Sequence, residues 1–173
     1  MKSVTCTYDA HADQILGILN EAIINSTALY DYKPRSTDSM IAWFKAKADG
    51  QFPVIGIEGN RGELLGFATY GIFRAWAAYK YSIEHSVYVH KDHRSKGIGR
   101  ILMTQLIDEA QLQQYHVMIG GIDVANESSI ELHKRLGFTH AGTIAKAGYK
   151  FGRWLDLAFY QLILQTPTNP SDA

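Results

Sequence analysis

A short basic segment with two glycines separates an apolar strand pattern from an amphipathic helix pattern, and it constrains the fold more than any other feature. The segment reads Arg-Ser-Lys-Gly-Ile-Gly-Arg at residues 94–100, between a strand pattern that ends at Val89 and a helix pattern that begins near Ile101. Gly97 and Gly99 let the backbone turn tightly and approach a ligand closely. The first N–H groups of the new helix face outward as an anion site. The segment therefore predicts a strand–loop–helix unit that binds a pyrophosphate group.

Two common phosphate-binding loops do not match this segment. A P-loop needs Gly-Lys followed by Ser or Thr, whereas Lys96 precedes its glycine and Arg100 follows the second glycine. A dinucleotide fingerprint needs a small residue three positions after the second glycine, and Leu102 occupies that position. The remaining pattern is basic-x-x-Gly-x-Gly after a strand. A tight strand-to-helix turn with solvated lysines is the alternative without a ligand.

Composition narrows the class of protein. The chain has 173 residues, 46% of them hydrophobic, which predicts one globular domain at residues 1–165 with a flexible tail at 166–173. The chain has 17 Lys and Arg residues and 17 Asp and Glu residues. It therefore carries no net charge that would attract nucleic acid or a membrane surface. Cys6 is the only cysteine and the histidines lack metal-ligand spacing, so we expect neither a disulfide nor a metal site. The N-terminus lacks the apolar segment of a signal peptide. Together, these features predict a soluble cytoplasmic protein.

The periodicity of apolar residues predicts an α/β fold. Helix patterns begin near Asp9 and Ser36, cover residues 101–114, and begin again at a capping box formed by Ser128 and Glu131. Strand patterns cover residues 54–57, 64–73, 81–89, 116–124, 138–144 and 155–164, with residues 148–152 as a loop before the last of them. This order gives a mixed sheet with helices on both faces.

Glu84 is the candidate catalytic residue within the central strand pattern at residues 81–89. Strand alternation places it on the polar face, where a carboxylate is costly unless it is paired, hydrated or facing a pocket. An alkylamine has a pKa of about 10, so its deprotonation at pH 7 costs on the order of 4 kcal/mol, and a partly buried glutamate can accept that proton. A surface glutamate paired with a lysine such as Lys80 is the alternative.

Four separate motifs, in order, carry a family resemblance. They are Phe73-Arg74, residues 81–100 with the run Tyr-Ser-Ile-Glu-His-Ser-Val-Tyr-Val-His before the glycine segment, residues 126–138, and residues 147–156. Together they resemble the phosphinothricin acetyltransferase family of the GNAT acyltransferase superfamily over roughly residues 9–164. The resemblance implies a GNAT-type, mostly antiparallel mixed sheet. It also implies direct transfer of acetyl from acetyl-CoA to the α-amino group of a small amino acid such as phosphinothricin or methionine sulfoximine.

The same resemblance implies roles for particular residues. Glu84 falls on the general-base position, and His133 falls where many superfamily members have a tyrosine that protonates the leaving thiolate. A packed structural histidine is the alternative at that position. Asn126 matches an asparagine along the cofactor arm, and its alternative is a turn residue before the next helix. The remaining cofactor contacts would come from the strand end and the glycine segment: Val87, Tyr88, Val89, Arg94, Ser95, Lys96, Gly97, Ile98, Gly99 and Arg100.

Arg74 is the candidate for binding the acceptor's carboxylate, since a guanidinium group binds a carboxylate through two hydrogen bonds. Tyr30 and Phe73 would flank it, and a solvated strand-end charge is the alternative. The resemblance implies a homodimer, in which the segment 149–154 could reach the neighbouring site, but the sequence does not decide whether it does. Rival functions are acetylation of a polyamine, an antibiotic or a protein N-terminus, or a non-catalytic acyl-CoA-binding sensor.

Overall fold

The computed structural model describes residues 1–172, which form seven strands and four α-helices. The strands are β1 (Lys2–Thr5), β2 (Val54–Glu58), β3 (Leu64–Ile72), β4 (Ser82–Val89), β5 (Val117–Asp123), β6 (Thr139–Lys150) and β7 (Arg153–Ile163). The helices are α1 (Tyr8–Asn25), α2 (Thr37–Asp49), α3 (Ile98–Leu112) and α4 (Glu127–Arg135). Short 3₁₀ turns precede β4 and α3 at Ala77–Tyr79 and Lys91–His93.

All seven strands belong to one sheet with the order β1-β2-β3-β4-β5-β7-β6. Every neighbouring pair is antiparallel except β4 and β5, which run parallel. The chain reaches β5 from β4 through α3, as a parallel connection requires. The predicted mixed, mostly antiparallel sheet is therefore confirmed.

Strand alternation divides the core into two clusters, one on each face of the sheet. On one face, Phe67 packs with buried residues of α1 and α2, including Ile15 and Met40. On the other face, Ile83 packs with the apolar stripe of α3, formed by Leu102, Met103, Leu106 and Ala110. The prediction of helices on both faces is confirmed.

Three local predictions are wrong. The edge strand β1 was missed because its four residues are largely exposed and show no apolar alternation. Residues 148–150 were predicted as a loop but belong to β6, and the turn to β7 contains only Phe151 and Gly152. The helix α4 begins after Asn126, whose side chain accepts a hydrogen bond from the Ser129 N–H, so Asn126 and not Ser128 is the N-cap.

Within residues 1–172, no helix is long and apolar enough to cross a membrane. After β7, the Thr166 hydroxyl donates to the Tyr115 carbonyl, and the Ser171 N–H donates to the Tyr81 hydroxyl at 3.0 Å. The division into one domain and a flexible tail stays a prediction, and Ala173 lies outside the described residues.

Candidate active site

The two parallel strands part in the middle of the sheet. They pair only where residues 82–84 of β4 lie beside residues 117–119 of β5. Beyond that point β4 stays paired with β3 as far as Val89, and β5 stays paired with β7 as far as Asp123. The backbone groups of Ser82 and His90 bond on the β3 side. Since successive residues of a strand direct their backbone groups to opposite sides, the N–H and C=O groups of Val87 face the gap. The gap therefore offers backbone groups that can pair with a ligand.

The glycine segment forms the N-terminus of α3 beside this gap. Gly97 is the N-cap, with a φ of 79° that a glycine adopts without strain. Ile98 points into the core and is 1% exposed, which fixes the start of the helix. Among residues 1–172, the N–H groups of Ile98, Gly99 and Arg100 have no hydrogen-bond partner. Three unpaired N–H groups at a helix N-terminus fit a pyrophosphate.

Two basic side chains of the segment are bonded within the protein. Lys96 donates to the Asp92 carbonyl at 2.9 Å, and Ser95 holds a left-handed conformation with a φ of 62°. Arg94 forms an ion pair with Glu21 and donates to the Val89 carbonyl at 3.3 Å. Arg94 therefore ties the loop to α1 and to the end of β4, and its side chain lines a cavity at that point.

Two cavities meet at the gap between β4 and β5. The first, here called the loop cavity, has a volume of about 480 Å³ and extends from Arg94 to Arg153. The second, here called the carboxylate cavity, has a volume of about 320 Å³ and is lined by Glu84, among others. Both cavities share the lining residues Thr27, Ala28, Val87, Tyr88 and Asn126. A ligand in one cavity can therefore touch a ligand in the other at β4.

Glu84 is exposed to solvent and lies on the wall of the carboxylate cavity. Partial burial raises the pKa of its carboxyl group, and the positive charge of Arg74 lowers it. A Cβ atom added at Gly121 of β5 would lie 3.4 Å from Glu84 Oε1, an ordinary van der Waals distance, so Glu84 lies directly beside Gly121 at the gap. Strand alternation predicts that Glu84 lies on the polar face of β4, and the carboxylate cavity opens on that side. Its catalytic role stays a prediction.

The candidate acceptor residues lie around the same carboxylate. Tyr30 lines the carboxylate cavity, and its hydroxyl group is buried without a hydrogen-bond partner within residues 1–172. Burial, and then the charge of Asp123, raise the pKa of this hydroxyl group. Arg74 stacks on the Phe73 ring at 5.3 Å and lies close enough to Glu84 to affect its pKa. Neither Phe73 nor Arg74 lines the cavity directly.

His133 forms a buried pair with His85, a residue that the sequence did not single out. Their Nε2 atoms lie 3.0 Å apart, and His133 Nδ1 lies 2.6 Å from the Ser129 carbonyl oxygen. Since a carbonyl only accepts, His133 carries its proton on Nδ1 and His85 donates from Nε2. This arrangement leaves His85 Nδ1 as a buried acceptor without a partner among the described residues.

Both histidines are held in the neutral form. Burial, followed by the neighbouring His133, lowers the pKa of His85 to about 3, and burial lowers that of His133. A Cβ at Gly120 would lie 2.6 Å from His85 Nε2, so this glycine makes room for the pair. Both ring nitrogens of His133 are thus engaged within the protein. Its role as a proton donor stays a prediction, and the contacts favour a packed structural histidine.

Sequence reasoning missed two polar residues of the site. Asp123 is buried at the end of β5, where its carboxylate accepts hydrogen bonds from the Thr27 hydroxyl and the Ala125 N–H and lies 3.5 Å from Arg153. An acidic residue at the end of an apolar strand pattern was the available signal for Asp123. Nothing in the local sequence marks Thr27. The roles of all candidate site residues stay predictions.

Comparison with known proteins agrees with this geometry. The sequence model of the acetyltransferase (GNAT) family matches residues 20–138. An L-amino acid N-acyltransferase, MnaT, from Escherichia coli is 40% identical over 97% of both chains. An L-methionine sulfoximine/L-methionine sulfone acetyltransferase from Pseudomonas paraeruginosa is 44% identical over 87% of both. The protein therefore belongs to the acetyltransferase (GNAT) family.

A solved structure within the same superfamily shows the same fold. It is a phosphinothricin acetyltransferase from Sinorhizobium meliloti in complex with acetyl-CoA, 32% identical with a TM-score of 0.90. The match covers 94% of this chain and 88% of the other. The resemblance to the phosphinothricin acetyltransferases seen in the sequence is therefore confirmed.

The buried His85 predicts a pH-dependent stability. Its pKa is about 3 in the folded state and near 6.5 in the unfolded state, so the unfolded chain binds more protons between these values. The free energy of unfolding should therefore fall as the pH is lowered from about 6.5, by at most about 1.4 kcal/mol per pH unit for this residue. Urea unfolding at pH 5.0 to 6.5 measures the slope. His85→Gln keeps a donor toward His133 and should flatten it, whereas equal slopes would contradict the assignment.

Proposed function

We propose that this enzyme transfers an acetyl group from acetyl-CoA to the α-amino group of a small amino acid or an analogue of the methionine sulfoximine or phosphinothricin type. The observation that carries the proposal is the position of Glu84. It lies in a cavity that adjoins, at Val87 and Tyr88, a second cavity reaching Arg94 of the glycine loop. The names of the MnaT and methionine sulfoximine relatives support the amino-acid acceptor.

The loop cavity and the α3 N-terminus suit acetyl-CoA, which GNAT acetyltransferases use. The N–H groups of Ile98, Gly99 and Arg100 would hold its pyrophosphate. The backbone groups of Val87 would pair with the amides of its pantetheine arm along the gap between β4 and β5. The bound co-substrate supplies the thioester carbonyl, which these contacts direct to the junction of the two cavities.

Glu84 accepts the proton that the acceptor ammonium must lose before attack. Its raised pKa brings it closer to neutrality, which favours proton transfer near pH 7. The amine nitrogen then forms a bond to the thioester carbon as the C–S bond breaks. N–H groups facing the gap stabilise the charge on the carbonyl oxygen. An ammonium and a thioester are converted to an amide, a thiol and one released proton.

Arg74 favours an amino acid over a polyamine as the acceptor. Its guanidinium group lies outside the cavity lining but close enough to Glu84 to lower its pKa, so it would attract a carboxylate and repel a second ammonium group at this end of the cavity. Tyr30 adds an unpartnered hydroxyl group on the cavity wall for a polar head group. The acceptor therefore carries an α-carboxylate beside the reacting amine.

A panel of amines tests the acceptor. With acetyl-CoA and a thiol-release assay, methionine sulfoximine, methionine sulfone or phosphinothricin should be the preferred substrates. The carboxamide of the preferred amino acid should have a kcat/KM about 10-fold or more lower, because it cannot form the charged pair with Arg74. Activity confined to spermidine, an aminoglycoside or a peptide N-terminus would overturn the acceptor. Calorimetric binding of acetyl-CoA without turnover of any amine would instead indicate a sensor.

The Glu84→Gln variant tests the general base. Loss of the carboxylate should lower kcat at pH 7 by about 100-fold or more while the Kd of acetyl-CoA stays within about twofold. In the wild type, kcat/KM should rise as the pH increases through the raised pKa of Glu84. This rise should be absent from the pH profile of the variant. Glu131→Gln, at an exposed position on α4, is the control. If the Glu84→Gln variant keeps the wild-type kcat from pH 6 to 9, Glu84 is not the general base.

We also propose that the protein is a homodimer in the cytoplasm. The edge strand β6 and its turn into β7 expose a set of large apolar side chains: Ile144, Tyr149, Phe151 and Trp154. An exposed apolar patch on a long edge strand is a common interaction surface, and Phe151 also lines the loop cavity. The single cysteine, buried as a free thiol, suits the reducing cytoplasm.

Sedimentation tests the homodimer. The wild-type protein should sediment at twice the chain mass of 19.4 kDa. Trp154→Lys places a charge in the apolar patch and should shift it to the monomer. Ile41→Lys, at an exposed apolar position on α2, should leave the dimer intact. A monomeric wild type, or equal effects of the two substitutions, would contradict the proposal.

A further inference from the structure

A buried lysine outside the proposed chemistry holds the segment that forms one wall of the site. Lys150, the last residue of β6, is 4% exposed. Its ammonium group donates to the carbonyl oxygens of Ile23 at 2.7 Å, Ser26 at 2.8 Å and Leu29 at 2.6 Å. All three donor positions of the ammonium group are therefore used. A buried charge is tolerated only when it is compensated in this way.

The three carbonyls belong to the end of α1 and to the connection that follows it. This connection, residues 26–36 between α1 and α2, is here called the wall loop. Its residues Thr27, Ala28, Leu29 and Tyr30 line the carboxylate cavity. The carbonyls at the C-terminus of α1 lack helical partners and carry partial negative charge, so a cation there is favourable.

The wall loop has little else to fix its backbone. Residues 27–35 form no backbone–backbone hydrogen bond with any part of the chain that the structure describes. Side chains hold the loop instead. The Asn20 side chain bonds both backbone groups of Arg35, the Thr27 hydroxyl donates to Asp123, and the Tyr32 hydroxyl donates to the Tyr149 carbonyl at 2.8 Å. Lys150 alone contributes two bonds to the loop, at Ser26 and Leu29, and a third to Ile23 at the end of α1.

We propose that Lys150 positions the acceptor. Its ammonium group holds residues 26–30 of the wall loop in place, and these residues form one wall of the carboxylate cavity. The inference rests on the proposed function, because it assigns this cavity to the acceptor. Lys150 does not line either cavity, so it touches no substrate. Glu84 is on β4 and the pyrophosphate site is on α3, so both keep their positions when the wall loop is released.

The Lys150→Met variant tests this role, with Lys47→Met as the matched control. Lys47 also donates to a main-chain carbonyl, that of Tyr70 at 2.7 Å, but it lies on α2 and outside both cavities. In Lys150→Met, the KM for the acceptor should rise by about 10-fold or more while kcat stays within about threefold. Because Thr27 and Ala28 also line the loop cavity, the Kd of acetyl-CoA should rise too, but by less than the acceptor KM. Lys47→Met should keep the wild-type KM even if its Tm falls.

Backbone amide exchange gives a readout that does not require activity. The amides of Ser26 and Ala28, which are hydrogen-bonded to the Ala22 carbonyl and the Ser26 hydroxyl, should exchange faster in Lys150→Met by about 10-fold or more, and at the wild-type rate in Lys47→Met. If Lys150→Met does not fold, Lys150→Gln, which keeps two N–H donors without the charge, is judged by the same criteria. A wild-type acceptor KM together with wild-type exchange in the folded variant would overturn the proposal.

Failure of the proposed function is a separate outcome. If the wild-type protein acetylates no amino acid, the acceptor assignment is wrong and the positioning of an acceptor by Lys150 is overturned with it. Amide exchange then still reports whether Lys150 orders the wall loop. If the wild type is active and only the variant comparison fails, the enzyme keeps its proposed function and Lys150 loses its assigned role.

Discussion

The parting of β4 and β5 is the constraint on which the site depends. The strands pair over three residues, and then each remains bonded only to its outer neighbour. A parallel pair that continued would use the backbone groups of Val87 within the sheet and leave none for a ligand. Because the strands part, the sheet has an inner edge at its centre. The loop cavity and the carboxylate cavity meet along that edge.

Two adjacent glycines on β5 lie along the inner edge and face opposite sides of the sheet. Strand alternation points Gly120 toward the pair of His85 and His133 and points Gly121 toward Glu84. A Cβ at Gly120 would lie 2.6 Å from His85 Nε2 and clash with it, whereas a Cβ at Gly121 would make an ordinary contact with Glu84 at 3.4 Å. The absence of a side chain at Gly120 thus allows the neutral histidine pair on one face, while Glu84 lies beside Gly121 on the other.

The site also requires that the wall loop, which is neither helix nor strand, keeps a fixed conformation. The wall loop gains its order from side chains that reach it from α1, β5 and β6, since its own backbone groups do not pair with one another. Buried polar groups of this kind are favourable when every partner is present and costly when one is missing. The acceptor wall therefore depends on residues distant in the chain.

Local patterns predicted the parts of the protein that are local in origin. The glycine segment, the apolar stripe of α3 and the face of Glu84 follow from backbone freedom and from helix and strand periods. The same reasoning failed for β1, which is largely exposed without apolar alternation, and for the far end of β6, where Gly148 and the buried Lys150 interrupt the apolar pattern. The N-cap of α4 was misplaced because Asn126 and Ser128 can both cap a helix.

The sequence by itself determined the strand–loop–helix unit, the sheet type and the carboxylate on the central strand. Only the tertiary structure decided where β4 and β5 part and which side chains hold the wall loop. It also decided that His133 Nε2 accepts a hydrogen bond from His85. These features join residues as far apart as Ile23 and Lys150. Their physical origin is the need of buried polar groups for partners, and those partners become neighbours only when the chain is folded.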